Sequence, residues 1–295
     1  MDGDGVGLDR GVRLTTLVPM SVVLVTGGSS GIGLATVKRL ASRGDRVFYG
    51  SRTRAPAGVG SDVTHVPLDL TEPASCSAAI ASVLEAAGRL DVLVNNAGTA
   101  TLAPLEEAGD ADAHRTFEVN VFGPMRLIRA AVPVMRATGS GRIVNVTSMN
   151  DVGPAPFGGW YSASKAALMS LSYVLGAELT GTGIAVTMVA LGFFRTTMAE
   201  ALPFHRVAES SPHAMAFEAL SRASVERLKT AGDPDEAAAA IADCVHSANP
   251  PARLVVGTDG IAMDEAVRKM SPEELAGALR DGVLELNAGD ATPSA

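Results

Sequence analysis

The chain has 295 residues, 47% of them hydrophobic, enough to build one large α/β domain with a substantial core. No stretch approaches the roughly 20 apolar residues of a membrane-spanning helix, so a soluble protein is expected with no membrane partner. A net charge of −8 argues against nucleic acid as a partner, since a phosphate-backbone binder needs a basic surface.

Residues 1–20 are rich in Gly and Asp and lack the apolar core of a secretory signal, so they read as a disordered leader or an overextended start before Ser21. SVVLVT at 21–26 is then a continuous β-branched run, the pattern of a strand buried on both faces of a parallel sheet. A glycine-rich turn leads into a helix over 31–43, and a second strand covers 46–51. A third strand near 63–68 precedes a helix start at Thr71-Glu72-Pro73, with Thr71 placed to cap it and Pro73 in the first turn. DVLVNNAG follows at 91–98, then a helix pair within 104–138, a strand over 142–148 and a long helix over 156–180. A strand at 184–191, a mobile-looking stretch, a helix over 234–247 and a strand at 253–257 complete the order. Seven strands alternating with helices predict an α/β fold with a doubly wound parallel sheet and helices on both faces. The domain is expected to span 21–286, with a lid at about 193–230 and a loose tail at 287–295. Cys76 and Cys244 lie far apart without metal-ligand spacing, so no metal is expected and both read as reduced residues of a cytoplasmic protein.

Three patterns carry chemistry. Glycines in Thr26-Gly27-Gly28-Ser29-Ser30-Gly31-Ile32-Gly33 lie between a strand and a helix, where the backbone turns tightly and helix N–H groups face a pyrophosphate. Tyr161 and Lys165 are four apart, so on a helix they share a face about 5–6 Å apart, and an ammonium there favours phenolate and lowers the tyrosine pKa from about 10. At the end of the second strand, an acid would bind a ribose 2′-hydroxyl. Ser51 and Arg52 stand there instead, a hydroxyl donor and a guanidinium suited to a 2′-phosphate, so NADP is favoured over NAD.

Together with Asn95-Asn96-Ala97-Gly98, Asn120 and Ser148, these motifs make residues 21–260 resemble the short-chain dehydrogenase/reductase family, in its shorter single-domain branch. The resemblance implies a Rossmann-type fold and an NADPH-dependent oxidoreductase acting on a carbonyl or secondary alcohol of a small molecule. Ser148 would bind the substrate oxygen, Tyr161 would pass the proton, Lys165 would also hold the nicotinamide ribose, and Asn120 would order a water linking Lys165 to solvent. The cofactor would be NADP(H), contacted by Gly27, Ser29, Ser30, Gly31, Ile32, Gly33, Ser51, Arg52, Asp69, Leu70, Asn96, Ala97, Gly98, Tyr161, Lys165 and Thr196. Asp69 could instead be a helix-entry residue, and Thr197 could substitute for Thr196. The family's proline after the sixth strand is replaced by Leu191, which predicts a looser backbone there.

Asn150, Trp160, Phe193 and Phe194 flank these positions, with Met198, Leu202 and Phe204 nearby, and suggest an apolar substrate pocket. His205 and His213 of the same segment read as surface residues. Family resemblance implies a homodimer or homotetramer through the helices around 120–138 and 156–180. The same tyrosine would also serve an NADP-dependent epimerase or dehydratase, and a non-catalytic NADP sensor is the third alternative.

Overall fold

The computed structural model describes residues 20–55, 62–201 and 207–288. Residues 1–19 of the expected leader, Leu202, Phe204, His205 and the chain beyond 288 lie outside the described residues. Seven strands form one parallel sheet: β1 (Val22–Thr26), β2 (Arg46–Ser51), β3 (Val63–Pro67), β4 (Val92–Asn95), β5 (Gly141–Ser148), β6 (Ile184–Leu191) and β7 (Arg253–Val256). Their order is β3-β2-β1-β4-β5-β6-β7, so the direction of strand addition reverses between β1 and β4. Ligands of such sheets bind outside the strand carboxyl ends at that reversal.

Alternation along each strand builds the two faces, because successive side chains point to opposite sides. Val22 and Leu24 join Phe48, Leu93, Ile143 and Leu127 in one core layer. Val23 and Val25 join Val37, Leu40, Val94, Val144 and Ile241 in the other. Each such side chain, fully buried, contributes about 1.5–3 kcal/mol, and the two layers together make the sheet a rigid platform.

The first layer is covered by α2 (Pro73–Ala87) and α4 (Gly123–Thr138), the second by α1 (Gly31–Ser42) and α8 (Pro234–His246). Thr71 does not cap α2 as expected. Glu72 holds the cap position with Pro73 in the first turn, while the Thr71 hydroxyl donates to Asp69 at 2.7 Å.

The helix pair expected within 104–138 is instead α3 (Asp110–Phe117), a π-helical turn (Glu118–Phe122) and α4 in unbroken succession. After β5 come a 3₁₀ turn (Met149–Asp151) and α5 (Gly159–Glu178); after β6 come α6 (Thr197–Ala201) and α7 (Ala214–Arg227). Two helices unanticipated in the sequence, α9 (Thr258–Val267) and α10 (Pro272–Ala288), close the described chain. Among the described residues no helix is long and apolar enough to cross a membrane.

Candidate active site

The glycine turn between β1 and α1 is built for close approach. Gly27 and Gly31 hold φ of +68° and +52°, where side chains are strained. A methyl group on Gly33 would lie 2.2 Å from the Gly27 carbonyl oxygen, so α1 sits directly on the turn. Ser30 occupies the cap position of α1 without a side-chain hydrogen bond, and no acid lies in the first turn. The N–H groups at this helix start are thus free of side-chain capping, which fits a pyrophosphate. Thr26 anchors the neighbouring turn: its hydroxyl accepts the Asn96 and Ala97 N–H groups at 3.0 and 2.9 Å, and its carbonyl accepts from the Asn96 side chain at 2.9 Å.

At the end of β2, Arg52 is exposed and its charge helps hold the Asp69 carboxyl below its usual pKa, behind two hydrogen bonds from Thr71. The Ser51 hydroxyl, expected to donate to a phosphate, donates within the loop to the Thr53 carbonyl. Asp69 takes the helix-entry role through Thr71. Leu70 is a core residue packed against Gly123, with its carbonyl bound by Arg126 at 2.9 Å, so its side chain belongs to the sheet layer.

Asn120 is 1% exposed within the π-helical turn, a feature common at functional sites. Its side chain accepts the Thr99 N–H at 2.8 Å and donates to the Thr99 carbonyl at 2.8 Å and the Ser164 hydroxyl at 2.9 Å. Asn120 therefore ties the β4 turn to α5. Gly98 sits where these parts meet. A methyl placed on it would lie 3.4 Å from the Asn120 side-chain oxygen, 3.6 Å from Lys165 Nζ and 3.9 Å from the Met198 methyl.

Ser148 ends β5, and its Oγ exchanges hydrogen bonds of 3.2 Å with the N–H and the side-chain oxygen of Asn150. Tyr161 and Lys165 project from α5 toward that strand end. Lys165 is 4% exposed and donates to the Val146 carbonyl at 3.0 Å, with Nζ 5.7 Å from the Tyr161 ring centre. Burial lowers the lysine to about 8, opposed by the charge of Asp151. The phenol moves opposite to the direction the spacing predicted. Burial pushes Tyr161 up, a hydrogen bond with Ser148 pulls it back, and the Asp151 charge adds to the rise.

Two aromatic expectations are corrected. Trp160 precedes Tyr161 on a helix, so its side chain leaves at about 100° and packs edge-on against Phe117 at 6.4 Å instead of facing substrate. Phe194 is 4% exposed and belongs to the core layer beside Val256 and Gly232. Phe193 remains partly exposed, with the Arg227 guanidinium 4.9 Å above its ring.

The loop behind Leu191 is not loose. Gly192 N–H donates to Val256 at 2.8 Å, Phe193 N–H to the Asp259 carboxylate at 2.9 Å, and Phe193 and Arg195 exchange two 3.0 Å backbone bonds with Gly232. Leu191 itself is a buried strand residue, 7% exposed. Thr196 abuts Gly31, within 3.4 Å of a methyl placed there, and its hydroxyl accepts the Ala199 N–H at 3.1 Å. α7 and the turn before it touch two other segments: His213 pairs with Glu106, before α3, at 3.0 Å, and Phe217 packs edge-on against Phe157, just before α5, at 5.5 Å. Asp151, Arg227 and Asp259 escaped the sequence reading because each acts through a residue distant in the chain.

The family model for short chain dehydrogenases matches residues 21–206. The chain belongs to the short-chain dehydrogenase/reductase family. An uncharacterized oxidoreductase of Mycobacterium tuberculosis is 35% identical over 252 residues, covering 81% of this chain and 74% of that one. The 3-ketodihydrosphingosine reductase of Bacteroides thetaiotaomicron is 30% identical over 237 residues, covering 80% and 87%. A solved short chain dehydrogenase of Burkholderia cenocepacia, in complex with NADP, superimposes with a TM-score of 0.72 at 25% identity over 89% and 98%. This short-chain dehydrogenase/reductase is thus an oxidoreductase with the seven-stranded Rossmann-type sheet of the family.

Proposed function

We propose that the protein is an NADPH-dependent carbonyl reductase, interconverting a ketone or aldehyde and its alcohol on a fairly apolar small molecule. The observation that carries this reading is buried Lys165 with its Nζ 5.7 Å from the Tyr161 ring centre on α5, beside the Ser148 strand end and on the side of the sheet that also holds the glycine turn. Bound NADPH supplies the hydride.

The chain's own residues supply orientation and the proton. Gly27, Ser29, Ser30, Gly31, Ile32 and Gly33 would cradle the pyrophosphate, Asn96, Ala97 and Gly98 the adjoining portion, and Thr196 the amide end. Arg52, exposed at the end of β2 with no acid beside it on the strand, favours a 2′-phosphate. The substrate oxygen replaces Asn150 as partner of the Ser148 hydroxyl, and Tyr161 passes it a proton. A positioned proton donor of this kind contributes about 10²–10⁴-fold. The ammonium of Lys165, present below a pH of about 8, stabilises the phenolate that remains once Tyr161 has passed its proton on. Asn120 keeps α5 fixed against the β4 turn during the transfer. A relative named as a reductase of a keto compound supports the reductive direction.

We further propose assembly into a homodimer or homotetramer through α4 and α5, where Tyr173 and Val174 remain 47% and 53% exposed. The function is tested by following absorbance at 340 nm against a panel of apolar ketones and aldehydes. Net NADPH consumption supports a reductase; turnover without net oxidation assigns an epimerase or dehydratase, and binding without turnover a sensor.

A further inference from the structure

Behind the Ser148 turn lies a buried charged network that the proton-transfer chemistry does not account for. Asp151, 4% exposed, ends the 3₁₀ turn that begins directly after Ser148. One carboxylate oxygen accepts from the Thr147 hydroxyl at 2.8 Å, reaching back across the turn. The other accepts from Arg253 of β7 at 2.8 Å. Arg253 in turn donates to Asp264 of α9 at 2.6 Å, and Arg268 completes the series at 2.7 Å. The turn bearing Ser148 and Asn150 is thus fastened to the last strand and to α9, whose Met263 also packs on Gly153 just beyond it.

A buried ion pair is commonly no more stabilising than well-packed apolar residues of the same volume, so stability alone does not account for burying these charges. Its place points to the reaction site. We propose that Asp151 is a positioning residue of the proton-transfer site, its carboxylate closing the turn that presents Ser148 and setting the field in which Tyr161 and Lys165 exchange protons.

Arg253 faces Asp151 from β7, Tyr161 and Lys165 lie on α5, and Asp264 and Arg268 stand one step further on α9. A negative charge here disfavours phenolate and favours ammonium, so it holds the proton on both groups. That matches the direction in which the Asp151 charge acts on each. Arg253 holds the carboxylate in place.

The proposal rests on the reading of Tyr161 as the proton-passing group, and its test does not need turnover. The chain has three tyrosines, Tyr49, Tyr161 and Tyr173. Protein labelled with [13Cζ]tyrosine is titrated by NMR, and Tyr161→Phe assigns the Tyr161 resonance. Asp151→Asn is expected to lower the Tyr161 midpoint by about one pH unit, while Asp151→Glu, which keeps the charge, leaves it close to wild type. Where Asp151→Asn alone does not fold, the double variant Asp151→Asn/Arg253→Gln leaves no lone buried charge and should show the same fall. In kinetics with any carbonyl turned over, Asp151→Asn lowers kcat with little change in the KM for NADPH. An unmoved Tyr161 midpoint in a folded variant lacking the carboxylate overturns the proposal, whatever the substrate proves to be.

Discussion

The carboxylate of Asp259 accepts the backbone N–H of Phe193 at 2.9 Å, joining the helix after the last strand to the loop after the sixth. The same carboxylate pairs with Arg227 at 2.6 Å and accepts the Gly260 N–H at 2.8 Å. The loop that leads to Thr196 is therefore held by side chains where family members use a rigid proline. Asp259→Ala should release it, raising the KM for NADPH by a factor of about 5–100, as expected for losing one or two hydrogen bonds to a charged group. Steady-state kinetics at fixed carbonyl substrate would show it; an unchanged KM would mean that the loop is set by the Gly232 bonds alone.

Tyr161→Phe removes the hydroxyl and keeps the ring against Lys165. Turnover should fall by about 10²–10⁴-fold, while NADPH binding, followed by its fluorescence, stays within a few-fold of wild type. Near-normal turnover would take the tyrosine out of the chemistry.

Arg52→Asp places at the end of β2 the acid that hydrogen-bonds a ribose 2′-hydroxyl and repels a phosphate. The ratio of kcat/KM for NADPH over NADH should fall at least tenfold. A ratio that does not move would assign the 2′-phosphate contact elsewhere.

Gly33→Ala puts a methyl 2.2 Å from the Gly27 carbonyl, a distance no relaxation of a flexible side chain can relieve. The turn and α1 must move apart, costing about 1–3 kcal/mol. Thermal melts should show a drop of several degrees together with loss of NADPH binding, whereas an intact melting temperature would contradict the packing described.

Lys165 carries a stability signature. Its pKa in the fold, about 8, lies below the ordinary lysine value of 10.5. Between those values the unfolded chain binds more protons than the folded one, so this group's contribution to stability rises with pH across that window and is lowest below pH 8. The penalty near neutrality is on the order of 3 kcal/mol. Lys165→Met should abolish turnover yet raise the melting temperature at pH 7, with a gain that shrinks by pH 10.

The alternation of strands and helices, the glycine turn and the placing of Tyr161 and Lys165 on one helix were legible because each shows in a local pattern: continuous apolar runs, a strand-to-helix turn and an i to i+4 pair. Directions of side chains were not. Trp160 and Phe194 sit beside active positions in the chain but turn into Phe117 and the core, Trp160 because neighbours on a helix point apart and Phe194 because the loop is bridged to Gly232. The phenol's upward shift escaped too, since burial depends on all that α5 packs against. Asp151 and Arg253, 102 residues apart, carry no local signal at all.

The π-helical turn holding Asn120 places one surplus residue in a helix that otherwise runs from Asp110 to Thr138. A surplus residue rotates everything beyond it by about 100°. The side of α3 that meets Trp160 and the side of α4 that meets the sheet are therefore out of phase, and deleting any single residue between 118 and 122 would swing one of them into solvent. The offset is what allows a single rod to seat Phe117 against Trp160 of α5 at one end and to face the apolar interior at the other.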